Sequence, residues 1–210
     1  MKKIYTMIIF IVILTLHNSC FAESNFDLQV FERQKTSLLN GHPAMWRIDI
    51  DDMEQRGFIS LNSDYDTKSY LYEGLYDIYV EVKPDVYLMN YGTSDFTPIP
   101  RIWLEFHSNS WLFADNAIFK IGDKTYTFDD ISVDRSVDKY NSGIKEELVC
   151  ICRDSEFMDA WINNPSTPGI KMRLKGEHDY LDFYVTLGSH INVRTMFQNF
   201  KDAGGLDYSY

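Results

Sequence analysis

The chain has 210 residues, 31 acidic and 20 basic, giving a net charge of −11 at pH 7. A chain this acidic, with no Lys/Arg run longer than two, argues against nucleic acid and against anionic lipid heads as partners, since both attract basic stripes. Its 14 Tyr, 14 Phe and 4 Trp favour strands with well-filled faces, and the length permits one domain with a sizeable core.

Residues 1–22 read as an export signal. Lys2 and Lys3 form a basic start, and the apolar stretch from Ile4 to Leu16 is interrupted only by Tyr5, Thr6 and Thr15. That stretch is shorter than the roughly 20 apolar residues a bilayer span requires. Ordinary signal cleavage needs small side chains at −3 and −1, which Cys20 and Ala22 supply for a cut before Glu23. The alternative is lipidation of Cys20, but the preceding His17, Asn18 and Ser19 offer only one suitable residue; an uncut anchor is the third route. The expected mature domain is 23–210, periplasmic or secreted. Losing Lys2 and Lys3 leaves 18 basic against 31 acidic residues, a net charge of −13. Membrane association is expected only through a lipidated Cys20 or an uncut signal.

After this leader the pattern is mostly period two, as in half-buried strands. FDLQVF (26–31), MWRIDI (45–50) and GFISL (57–61) alternate, the last two around the acidic turn DDMEQRG. LYDIYVEV (75–82) puts Ile78, Val80 and Val82 on one face, with Pro84-Asp85 closing it and VYLMNY (86–91) returning. A loop containing Pro98 and Pro100 follows. RIWLEF and WLFADNAIFKI come next, then Gly122-Asp123 as a two-residue hairpin turn into KTYTF. ISVDRSV (131–137) alternates, and ELVCIC (147–152), apolar on both faces, reads as a central strand. Residues 155–163 read as a helix capped by Ser155. IKMRLKG and LDFYVTL form a last hairpin, and a helix over 190–202 follows Ser189, with Val193, Met196, Phe197 and Phe200 on one face before Gly204-Gly205. Together these predict a mainly β, single-domain antiparallel sandwich with two short helices near the C-terminus, or alternatively a partly open barrel.

Few residues are arranged for chemistry. Cys150 and Cys152 share a strand face. A mutual disulfide would be strained at the upper limit of Cα separation, about 6.8 Å, and zinc would need further ligands at short spacing. Packed thiols are the simpler reading. Asp49, Asp51, Asp52 and Glu54 are weak candidates for a cation, because they lack the D-x-D-x-D-G order, and a solvated turn explains them better. No G-x-S-x-G elbow or phosphate loop occurs, and Ser189-His190 are adjacent, so their side chains diverge. His42, His107, His178 and His190 are scattered, with His107 and His178 expected in polar turns. Trp103 and Trp111, facing each other across an HSNS hairpin turn, are candidate interaction aromatics beside Trp46 and Trp161. Arg135, Arg173 and Glu146 are expected in cross-strand pairs on the solvent face.

No catalytic residue or cofactor is nominated. The expectation is an exported cell-envelope protein of bacterial type that binds another protein, with an inhibitor or immunity-like role as its specific form. A structural subunit joined through a strand edge, and a small hydrolase using a carboxylate pair, are the alternatives.

Overall fold

The computed structural model describes residues 26–33, 36–37, 43–44, 46–61, 68–70, 78–137, 143–165 and 169–205. The segment 1–22 read as an export signal, with Cys20, and His42 lie outside these residues. The fold is mainly β, with two open antiparallel sheets, consistent with a β-sandwich rather than a closed barrel.

The larger sheet is built around the hairpin of β6 (Tyr79–Met89) and β7 (Thr97–Ser108). On the β6 side follow β4 (Arg56–Leu61) and then β3 (Trp46–Asp51), while β5 (Lys68–Tyr70) pairs with the other half of β6. On the β7 side follow β11 (Ile144–Ile151) and the edge strand β10 (Ser132–Val137). The second sheet has the order β13 (Tyr180–Tyr184), β12 (Lys171–Gly176), β8 (Ala114–Ile121), β9 (Lys124–Phe128). A short ladder joins β1 (Thr36–Ser37) to β2 (Pro43–Ala44).

Three prolines explain where the sequence reading of this hairpin fails. β6 runs straight through Pro84-Asp85, so 86–91 does not return as a partner strand, and Pro98 and Pro100 belong to β7 rather than to a loop. Proline lacks a ladder donor and is tolerated where a strand has a free edge. Pro84 falls between the segments of β6 that pair with β5 (79–81) and β4 (85–89). Pro98 and Pro100 lie beyond the stretch of β7 that pairs with β11, which begins at Arg101. The actual turn is 90–96. By contrast, Gly122-Asp123 turns β8 into β9 as expected, with Gly122 at φ 60°, which glycine adopts without steric cost.

Three helices are described. α1 (Leu28–Arg33) replaces the strand expected over 26–31. Six residues are too few to separate period two from a helical turn, and packing decides. Phe26 and Phe31 are buried together, with ring centroids 5.7 Å apart, and Phe26 also meets Phe200 at 5.5 Å. α2 (Ser155–Asn163) is capped by Asp154, whose carboxylate accepts from the Glu156 N–H at 2.8 Å, rather than by Ser155. α3 (Leu187–Asp202) starts one turn earlier than read, capped by Thr186.

α3 packs against β6, β7 and α2. Val80, Val82, Leu104 and Phe106 from the large sheet face the same core as Phe119, Met172, Leu174 and Phe183 from the small one, and Phe106 meets Phe183 edge-on at 6.2 Å. Phe119, Phe157, Trp161 and Phe197 form a tilted and edge-to-face cluster that joins α2 and α3 to β8. Burying each such ring contributes about 2–3 kcal/mol.

Candidate ligand cleft at the sheet junction

The chain passes from the large sheet to the small one between β7 and β8, through residues 109–113. Trp103 and Trp111 are therefore not hairpin partners. Trp103 pairs in register with Lys83 and Val149 inside the large sheet, whereas Trp111 lies in the crossover.

The crossover is clamped by Glu146 of β11. Its carboxylate is fully buried and accepts three successive backbone N–H groups: Leu112 at 2.7 Å, Phe113 at 3.0 Å and Ala114 at 2.8 Å. Arg135, its register partner on β10, donates from Nε at 3.2 Å and from a terminal nitrogen to the Ala114 carbonyl at 2.8 Å. The Arg135–Glu146 pair is thus cross-strand as expected, but Glu146 points into the protein rather than to solvent. A buried carboxylate is tolerated only when its lone pairs are satisfied, and here they are taken by fixed donors. From the other side, Gly176 of β12 approaches so closely that a Cβ there would lie 2.0 Å from the Leu112 carbonyl oxygen.

This clamp holds Phe113 at φ 54°, in the left-handed region that bulky residues rarely enter, at a cost of about 1–3 kcal/mol. The ring gains little burial in return. It is 53% exposed, lies against Trp111 with centroids 5.8 Å apart and planes 25° from parallel, and has the Arg135 guanidinium 5.7 Å from its centroid. Trp111 and Phe113 form one wall of a cleft of about 340 Å³. Phe106 and Leu181 supply apolar lining, and Ser108, Ser110 and the 177–179 turn supply polar groups. The Ser108 hydroxyl donates to the Ser110 carbonyl and accepts from its N–H at 3.2 Å. His178 in that turn is exposed, as expected, and sits 3.7 Å from Glu177.

The other sequence candidates lie elsewhere. Asp49, Asp51, Asp52 and Glu54 occupy the exposed β3–β4 turn. Asp49 pairs with Arg47 at 2.8 Å, Glu54 pairs with Arg56, and Asp51 accepts from the N–H groups of Met53 and Glu54 at 3.1 Å. Among the described residues no three His, Cys, Asp or Glu side chains gather to hold a metal ion. Cys150 and Cys152 are both buried and free; the Cys152 thiol faces the Cys150 carbonyl at 3.4 Å, and burial pushes both thiols well above their ordinary range.

Trp103 belongs to a separate cluster on the outer face of the large sheet. Its Nε1 donates to Asp85 at 3.0 Å, and Asp85 also binds Arg101 through two contacts of 3.0 and 2.5 Å. The Arg101 guanidinium lies 4.9–5.4 Å from the rings of Phe58, Tyr87 and Trp103. Burial raises the Asp85 carboxyl above its usual range, more than the Arg101 contact lowers it. The Asp85 carboxylate, the Arg101 guanidinium and the Trp103 N–H are spent on one another, so the cluster reads as a structural clamp.

His107 lies on β7 rather than in a turn. It stacks on Tyr79 at 4.6 Å, and its Nε2 is 3.1 Å from Glu105. His190 is buried and stacks on Trp161 at 6.1 Å; burial and the nearby Arg194 charge lower its pKa.

Comparison with protein-family models, with curated proteins and with solved structures gave no match in any of the three.

Proposed function

We propose that the protein is an exported binding module that engages another protein, with the Trp111–Phe113 cleft as its contact site. The observation that carries this reading is Phe113. Its backbone is strained, its ring is half-exposed, and a buried carboxylate with three N–H donors keeps it so. The positive φ serves the clamp, since it turns three successive N–H groups onto Glu146, but glycine would serve it at less cost. A bulky ring kept there half-exposed gains little packing, and strain of that kind clusters at recognition sites. The cleft volume lies at the lower end of ligand pockets, a size suited to an apolar or aromatic anchor side chain. The acidic chain would speed encounter with a basic partner, which fits an inhibitor or immunity-like role.

Substituting Phe113→Gly tests the reading, because glycine accepts the positive φ. The variant should be as stable as the wild type, or up to about 1 kcal/mol more stable, yet should lose a partner that immobilised wild-type protein retains from envelope extract in low salt. Undiminished retention would contradict the reading. So would a loss of stability above about 2 kcal/mol, which would make Phe113 a packing residue.

A further inference from the structure

We infer that the outer face of the four-stranded sheet is a second binding surface and that its ligand is an acidic polysaccharide. Along β12, Lys171, Arg173 and Lys175 point outward, alternating with buried Met172, Leu174 and Gly176. Strand register then assembles rows across the sheet: Tyr184, Lys171, Lys120 and Thr125 in the first, Asp182, Arg173, Ile118 and Thr127 in the second, Tyr180, Lys175 and Asn116 in the third. Four cations thus meet a single carboxylate, in a chain whose net charge is −11. Asp115, Asp123, Glu177 and Asp179 lie outside these rows, at the bulge end of β8 and in the two hairpin turns, while exposed Asp129 and Asp130 follow the end of β9, beside Asn116 of the third row.

The one carboxylate is already engaged. Asp182 binds Arg173 through contacts of 2.6 and 2.8 Å, and Arg173 lies 3.9 Å from the centroid of Tyr180. Lys171 sits over Tyr184 at 5.3 Å. Lys120 and Lys171 are exposed and directly opposite in register. Like charges placed that way destabilise a sheet, and an anion lying between them would relieve the repulsion.

The neighbouring groups select the kind of anion. Hydroxyls of Thr125, Thr127 and the tyrosines, with the Asn116 amide, match the hydroxyls of a sugar chain whose carboxylates meet the lysines. The aliphatic contribution is half-buried Ile118, which leaves no wedge to enter a bilayer and argues against a lipid surface. Both tyrosine rings carry a cation over one face, which disfavours the open stacking platform that single-stranded nucleic acid uses.

Titrating fluorescein-labelled oligogalacturonate into the full chain, with fluorescence anisotropy as readout, tests the inference. Neutral maltooligosaccharide, oligo(dT) and phosphatidylglycerol vesicles serve as comparison ligands. The wild type should bind oligogalacturonate with an affinity that falls as salt rises, and should bind the three comparison ligands more weakly. The double variant Lys120→Gln/Lys171→Gln should weaken binding at least about tenfold, an effect of about 1.4 kcal/mol. The single substitutions should each weaken it less, and they provide the readout if the double variant does not fold. Absence of oligogalacturonate binding, affinity unchanged in the lysine variants, or preference for oligo(dT), vesicles or the neutral glycan would overturn the inference.

Discussion

Glu146 shows what a single side chain can settle. It is in phase with Leu148 and Cys150 on β11, both fully buried, so alternation alone places its carboxylate inside the protein. The signal was legible; what misleads is the general preference of Glu for solvent, which yields when fixed donors satisfy the charge. The identity of those donors was not legible, because Leu112, Phe113 and Ala114 are more than thirty residues away and meet Glu146 only through the fold. Replacing Glu146→Ala leaves three N–H groups and the Arg135 charge without their acceptor. It should cost about 3–5 kcal/mol in urea unfolding, as expected for one-sided removal of a buried ion-pair partner. A loss below about 1 kcal/mol would mean that the clamp contributes little to holding the crossover.

At the scale of elements, the strands were largely readable from alternation, as were the β8–β9 turn and the hairpin of β12 and β13. Partners were not, since register depends on contacts distant in sequence, and the prolines of β6 and β7 imitate loop punctuation for that reason. Cross-strand assembly also hides charge patterns in both directions. Lys120, Lys171, Arg173 and Lys175 never form a run, so a search for runs misses them. On the outer face of the large sheet, Glu81, Glu105 and Glu147 fall in one register row across β6, β7 and β11.

Lys83 bridges Glu81 and Glu105 at 2.6 and 2.8 Å, and Lys145 binds Glu147 at 2.6 Å and approaches Glu105 at 3.9 Å. These cations offset the repulsion along the row. The His107 hydrogen bond, followed by Lys83 and Lys145, outweighs partial burial and lowers the Glu105 carboxyl to about 2. A carboxylate whose folded pKa is depressed adds stability above its unfolded value of 4.5, and that stability is lost as pH falls through the folded value. Unfolding free energy should therefore fall between about pH 4.5 and pH 2, with Glu105 contributing about 2 kcal/mol after allowance for solvent screening. Urea titrations of wild type and Glu105→Gln across that window check this. Parallel curves for the two proteins would show that the row is not coupled to folding.

For the whole molecule, the succession of alternating segments predicts a mainly β sandwich, and two open antiparallel sheets consistent with it are present, with helices packed against their core. The proposed contact site lies one level below what composition reports. The sequence makes Trp111 a candidate interaction aromatic, but its partner Phe113 and the strain that displays it arise only where the two sheets meet. The reading as a protein-binding module stands on that junction.

The most direct test places the photoreactive phenylalanine analogue p-benzoylphenylalanine at position 113. The control is the same group at Val137, an edge-strand residue that is 63% exposed. Illumination of intact cells should give one discrete adduct of higher mass from position 113, suppressed by Trp111→Ala and absent from position 137. No adduct from position 113, or the same adducts from both positions, would contradict the account.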